Sequence, residues 1–349
     1  MSWRRSIFER VVAASSLLAP AAPEVPAAPE KILVLRNNDI GDLLVVTPLF
    51  EALKRIYPNA DTIAGIGSWN TAVLSRNPYV DRVVPLDAPW HNHFVHPQTV
   101  LNAVRFALFS SGTKTLRKLR VDIGIDVLGS GYGSLLMICA RIPYRLGVRG
   151  YAGGESAVQA AVEYRPDLHV GRQALGFAEI LGCTDLPENR PQLFLDGPVE
   201  PHGAIVIAPG AGEPDKAWPP DHFVSLSSLL RDHEIVVIGS ADDQALCERI
   251  SRTHGKTRNV AGRLSLRESF ALIAGAKLVV CNSSMPMHVA AAFYRPCLVV
   301  LGESVKSASF HYRQWGYPET VMLGRDEPHP VIATPEEAHA KLREMLYDV

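Results

Sequence analysis

Lys31-Ile32-Leu33-Val34-Leu35-Arg36-Asn37-Asn38-Asp39-Ile40-Gly41-Asp42 decides the architecture. Its apolar run shows no polar alternation, the pattern of a strand covered on both faces in a parallel sheet. A polar turn with a glycine closes it, and the spacing predicts a helix over Leu43–Tyr57. Outward from this unit, Asp61–Ile66, Arg82–Leu86 and Val121–Val127 read as further strands, with helices over Val100–Leu119 and Leu135–Arg141. Such βαβ alternation predicts a parallel sheet with helices on both faces.

The alternation breaks at Pro187-Glu188-Asn189-Arg190-Pro191 and Pro198-Val199-Glu200-Pro201, where four prolines indicate a linker. It then restarts, with strands at Ala204–Ala208, Glu234–Ile238, Lys277–Cys281 and Cys297–Leu301. Helices are expected over Asp221–Arg231, Asp242–Thr253, Leu266–Gly275, Met285–Phe293 and, after a Thr334-x-x-Glu337 capping box, to Leu346. A chain of 349 residues suits two such cores. The expectation is an α/β protein with two tandem Rossmann-like doubly wound domains, 31–186 and 203–349, joined by a linker at 187–202. Ligands of such sheets bind at the carboxyl ends of the strands, so a cleft between the domains is expected.

A net charge of −1 lacks the basic excess of a phosphate-backbone binder, which argues against nucleic acid as a partner. Cys139, Cys183, Cys247, Cys281 and Cys297 are odd in number and scattered, and read as reduced core residues. Residues 1–30 imitate an export signal poorly. Their apolar stretch is broken by Ser15, Ser16 and Pro20 and falls short of the roughly 20 residues of a membrane helix. They read as a flexible leader or as a helix on a membrane surface, with Trp3, Ile7, Phe8, Val11 and Val12 on one side and Arg4, Arg5 and Arg10 on the other.

In the second half, Cys281-Asn282-Ser283-Ser284-Met285-Pro286-Met287-His288 leaves a strand and enters a small-residue helix. Unpaired N–H groups and the positive end of the helix dipole then converge, so a phosphorylated ligand is expected at Ser283, Ser284 and Met285. His288 lies one turn beyond Ser284 and either faces the phosphate or packs inward. The loop Ala208-Pro209-Gly210-Ala211-Gly212-Glu213-Pro214-Asp215 leads to Lys216, with Gly210 permitting close approach and Lys216 supplying a point charge to a diphosphate. Asp243 follows another strand, where a carboxylate either meets ribose hydroxyls or favours the helix start. Asp42 stands just past a strand end, exposed to a substrate hydroxyl or capping the next helix; Asp39 reads as loop structure or acceptor contact. Neither an Asp-x-Asp nor a His/Cys cluster with ligand spacing occurs, so no metal is expected.

These stretches carry a family resemblance. Ile32–Asp42 with Thr47-Pro48 and Leu53-Lys54, Asn77-Pro78-Tyr79-Val80-Asp81, Arg141–Gly147, Ala208–Ala211 with Lys216 and Trp218-Pro219, Asn259–Gly262 and Asn282–Ala292 together resemble the heptosyltransferases of glycosyltransferase family nine over about residues 31–347. The resemblance implies a GT-B architecture, an ADP-heptose donor, no metal or other cofactor, and inversion at the anomeric carbon. It implies Asp42 as the base and Lys216 as a diphosphate contact. It also implies a lipopolysaccharide core or other surface glycan as acceptor, in the cytoplasm or peripheral at the inner membrane. Ser283 and Met285 stand where relatives usually carry Asp and Gly. That departure points to a changed donor or lowered activity, and it motivates an alternative: a non-catalytic relative that binds a nucleotide sugar or glycan as a regulatory or scaffold subunit. Arg117, Lys118, Arg120, Arg141, Arg145 and Arg149 are expected either to meet an acidic acceptor or to lie on solvated faces, and Ser130–Ser134 to touch acceptor hydroxyls.

Overall fold

The computed structural model describes residues 3–17, 19–326 and 331–347. The chain divides into two compact units, Met1–Asn189 and Arg190–Val349. The first contains α1 (Trp3–Leu17), β1 (Lys31–Arg36), α2 (Ile40–Leu44), α3 (Pro48–Ile56), β2 (Asp61–Ile66), α4 (Thr71–Leu74) and β3 (Arg82–Pro85). It continues through α5 (Val100–Phe109), α6 (Ser111–Leu119), β4 (Ile123–Asp126), α7 (Gly131–Cys139), β5 (Tyr144–Arg149), β6 (Ala160–Glu163) and α8 (Val170–Ile180). Its strands form one parallel sheet in the order β3-β2-β1-β4-β5-β6.

The second unit contains β7 (Ile205–Ala208), α9 (Pro220–Leu229), β8 (Ile235–Val237), α10 (Gln244–Ser251), β9 (Thr257–Asn259) and α11 (Leu266–Ala274). After these come β10 (Leu278–Cys281), α12 (Met285–Ala292), β11 (Cys297–Val300), α13 (Ala308–Trp315), β12 (Thr320–Leu323) and α14 (Pro335–Tyr347). Its parallel sheet runs β12-β11-β10-β7-β8-β9. Both sheets therefore repeat the Rossmann order, in which the first strand lies centrally and the chain reverses direction between the first and fourth strands. In each unit the loops after those two strands flank the reversal point.

Two helices expected as single are each divided, for identifiable reasons. Pro48 has no N–H to give the Leu44 carbonyl, and Thr47 Oγ1 donates to that carbonyl at 2.7 Å instead, so α2 ends and α3 begins. At Ser110 the backbone is extended, and its Oγ accepts from Thr113 N at 3.1 Å, ending α5 and capping α6. α7 starts at Gly131, ahead of the expected Leu135, because Ser130 Oγ accepts from Gly133 N at 2.9 Å.

Each unit has its own apolar core, one around Leu33, Ile63, Leu116 and Leu136, the other around Ile205, Phe223, Val280 and Leu298. The leader, expected as a flexible or membrane-surface segment, contains a helix that packs in part on the first core. Val12 of α1 is fully buried in the first core, and Phe8 lies 4.8 Å from Tyr132 of α7, ring to ring. The apolar side expected to meet a membrane is thus partly spent on the protein, although the side chains of Trp3, Arg4, Arg5 and Ile7 lie outside the described residues. The chain after α1 is also tied down, by Ala22 N donating to the Pro143 carbonyl at 3.0 Å. No helix among the described residues is long and apolar enough to cross a membrane.

Candidate active site

In the first unit, Arg36 closes β1 and organises the turn into α2. Its guanidinium is buried and donates through Nη2 to Asp42 Oδ1 at 3.0 Å and through Nε to the Asp42 carbonyl at 3.1 Å. Asp42 lies in the first turn of α2, and the α2 N-cap is Asp39, whose side chain makes no cap bond. Asp39 instead accepts from His93 N at 3.1 Å and pairs with the His93 ring. The sequence offered Asp42 as base or cap; its side chain caps nothing and is aimed by an arginine.

Asp126, the last residue of β4, was missed as a site residue although it ends an apolar strand beside the reversal point. Burial pushes its carboxyl up to about 6, against the pull of N–H groups from Ser130 and Leu128, the Ser130 hydroxyl and the Arg36 charge. A pocket lies against it, lined also by Asn37, Asn38, Ala88, Trp90 and Ser130. Asn37 Oδ1 is buried with no hydrogen-bond partner, while its Nδ2 donates to the Ala88 carbonyl at 3.0 Å.

Two expectations for the acceptor are corrected. Ser130 and Ser134 are turned inward, the first bonded to Asp126 and the second donating to the Gly154 carbonyl at 3.0 Å. Arg145 is buried, and carbonyls of Ala157, Pro20 and Ile142 take its N–H groups, so it has no free face for a saccharide. Arg149 pairs with Glu163 at 2.6 Å.

In the second unit, the loops after β7 and β10 are fastened together by Asn282. Its Nδ2 donates to the Pro209 carbonyl at 2.7 Å, and its Oδ1 accepts from Trp218 N at 2.9 Å. Lys216 sits between those two anchors, half-exposed, with Nζ 2.8 Å from Glu213 Oε1. The loop after β11 joins them, since Gly302 N donates to the Lys216 carbonyl at 3.1 Å and Ser304 N to that of Asp215 at 3.2 Å. Trp218 is buried and donates to the Ala333 carbonyl at 2.8 Å, a packing role.

Ser284 is the N-cap of α12 in extended backbone without a side-chain cap bond, but Pro286 has no N–H and Met287 N donates to the Ser284 carbonyl at 3.2 Å, so the first turn offers fewer open donors than expected and the Met285 N–H is the one without a helix partner. Ser283 Oγ lies 2.7 Å from His311 Nε2 of α13. Burial, aided by the Lys216 charge, lowers His311 to about 4, leaving a neutral ring at neutral pH. His311 was also missed, because nothing in its sequence neighbourhood connects it to residue 283. His288 packs inward: it is buried, bonds Tyr317 Oη through Nδ1 at 2.9 Å and stands edge-on to Trp315. Asp243 Oδ2 accepts from Ser240 N at 2.8 Å and Ser240 Oγ at 2.7 Å. It lies so close to Gly210 that a Cβ there would come within 2.6 Å of it, so the glycine is what lets the two loops approach. The structure thus groups Lys216, Ser283, Ser284 and Met285 around the β7/β10 reversal point, with Gly210 and Asp243 adjoining across β7 and β8 and His288 turned away into the core.

Residues 110–315 match the family model described as Glycosyltransferase family 9 (heptosyltransferase). The chain belongs to this family. It is accordingly a glycosyltransferase. The lipopolysaccharide heptosyltransferase 2 of Escherichia coli is 29% identical to it over 300 residues, spanning 78% of this chain and 83% of that one. Among solved structures, E. coli ADP-heptose lps heptosyltransferase II superposes with a TM-score of 0.69 at 24% identity, over 91% of this chain and 99% of that one. The glycosyl transferase family 9 from Veillonella parvula gives 0.75 at 16% identity, over 92% and 98%. At these identities the two structures speak for the fold, which this family 9 member shares as two Rossmann-like halves.

Proposed function

We propose that this family 9 glycosyltransferase moves a heptose or related sugar, with inversion and without a metal, from an ADP-sugar to a lipopolysaccharide core or another surface glycan at the cytoplasmic face of a membrane. In this reading Asp42 takes the proton of the attacking acceptor hydroxyl, and Arg36 holds its Oδ1. The departing nucleoside diphosphate meets Lys216 and the Met285 N–H at the positive end of α12, with the Ser283 and Ser284 hydroxyls beside them. Developing negative charge on the leaving group strengthens both contacts, which is the differential binding that catalysis requires. Asp243 serves the ribose hydroxyls, Gly210 and Met285 border the nucleotide, and His288 supports the α12 start from within through Tyr317.

The observation that supports this reading most is the Asn282 fastening, which holds the lysine loop beside the start of α12 in a chain of this family. The names of the relatives supply adenine, heptose and the lipopolysaccharide acceptor. Replacing Asp42 by Asn is expected to lower turnover by about 10²–10⁴ while nucleoside diphosphate affinity stays within a few-fold. Undiminished turnover removes Asp42 from the mechanism, and a panel of ADP-, GDP- and UDP-sugars assigns the donor.

A further inference from the structure

Helix α5 is built inside out. Its small residues Ala103 and Ala107 are buried, with Phe106 set edge-on to Trp90 at 5.4 Å, whereas Leu101, Leu108 and Phe109 are 75%, 48% and 64% exposed. At 100° per residue Leu101, Arg105, Leu108 and Phe109 share one side of the helix, so the large apolar groups form a stripe facing solvent with a cation in it. An ordinary surface helix has the opposite arrangement.

Charge in the surrounding sequence is equally one-sided. From Ala88 to Val121 the chain has no aspartate or glutamate, but it carries Arg105, Lys114, Arg117, Lys118 and Arg120. Lys114, Arg117, Lys118 and Arg120 are exposed and lie on or just after α6, which begins immediately after α5. Helix α1 packs on α7 as α5 does, and it exposes Val11 and Leu17 with Arg10.

We infer that the outward face of α5, with the basic α6 beside it, is a docking surface for an anionic lipid bilayer. Apolar side chains enter the boundary between headgroups and acyl chains, while the lysines and arginines meet the negative surface. The absence of any carboxylate over this segment selects a negatively charged partner, and Leu101, Leu108 and Phe109 select one with an apolar interior. This inference deepens the reading that the acceptor lies at a membrane, and it depends on that reading only for its purpose, since binding is measured without any sugar.

The test is flotation of the full-length protein with phosphatidylglycerol-containing vesicles and with pure phosphatidylcholine vesicles. The protein is expected to float with the anionic vesicles, less so as salt rises, and to remain below with the neutral ones. A double variant Leu101→Ser, Phe109→Ser should abolish flotation. Arg105→Gln with Lys114→Gln should weaken it roughly five-fold for each neutralised residue. All four positions are exposed, so unchanged thermal unfolding serves as the folding control. Failure of the wild-type protein to bind anionic vesicles overturns the proposal, as does undiminished binding by the apolar double variant. A concentration-dependent dimer that Leu101→Ser, Phe109→Ser dissolves, without vesicle binding, would assign the face to a second copy and overturn it too. Turnover on a detergent-dispersed acceptor is expected to be the same in wild type and variants, so a wrong donor or base assignment appears there and leaves the flotation result untouched.

Discussion

Ser283 Oγ and His311 Nε2 meet at 2.7 Å, so the serine beside the start of α12 is bonded to an uncharged imidazole. The pair supplies hydrogen bonding at the start of α12 without adding negative charge beside Lys216. Ser283→Asp would place a carboxylate against the ring and raise His311 from about 4 by roughly 1–3 pH units. An NMR titration of the imidazole would read it. Because the folded value lies below the ordinary 6.5, the wild-type protein loses stability as pH falls from about 6.5 toward 4. The variant should lose less over that window.

Lys216 is held by Glu213 before any ligand arrives. An exposed pair of this kind contributes up to about 1 kcal/mol, which competes with the diphosphate. Glu213→Gln should therefore tighten nucleoside diphosphate binding about two- to five-fold, measured calorimetrically. Lys216→Met should lower kcat/KM for the donor by about 10².

Gly302 admits no side chain. A Cβ there would lie 2.3 Å from the Ala217 carbonyl oxygen and 2.7 Å from Lys216 C, both backbone atoms. Gly302→Ala must displace the lysine loop, at a cost of roughly 1–3 kcal/mol. A lowered unfolding midpoint together with weakened nucleotide binding is the expected result, and weakened binding without loss of stability would mean that the loop moves freely.

Asp126 has the opposite pH signature to His311. Its folded value, about 6, lies above the ordinary 3.8, so its contribution to stability is complete below about pH 4 and is lost as pH rises through 6. Asp126→Asn removes that dependence. Between pH 4 and 7 the stability difference between variant and wild type should move in the variant's favour by about 2–3 kcal/mol, measured by urea denaturation.

Strands were the most legible part of the chain because fully buried strands are written as unbroken apolar runs: Lys31–Arg36 and Asp61–Ile66 form the elements the sequence announced. Short or partly exposed strands lack that signature, and β6, β9 and β12 escaped notice. Helix breaks depended on single groups, the missing N–H of Pro48 and the hydroxyl of Ser110, which periodicity does not register. The site followed the same division. As candidates, the serines at 283 and 284 were legible because they follow β10 directly, and Lys216 because it ends the loop that leaves β7. Asn282 and His311 act through partners distant in sequence, at Trp218 and Ser283, and only folding brings those partners together, whereas Asp126 bonds its near neighbours Leu128 and Ser130 and its burial is what the sequence does not register. Arg145 misled for the same reason: its charge suggested solvent, yet three carbonyls gather around it.

The Asn282 carboxamide is one small group spanning two loops, and this couples their motion. Neither the segment carrying Lys216 nor the turn leading into α12 can swing away by itself, because leaving would strand the buried Trp218 amide or the Pro209 carbonyl without a partner. Exchange of the Trp218 amide proton with solvent should therefore be slow even in the empty enzyme, and it should report on the opening of both segments at once.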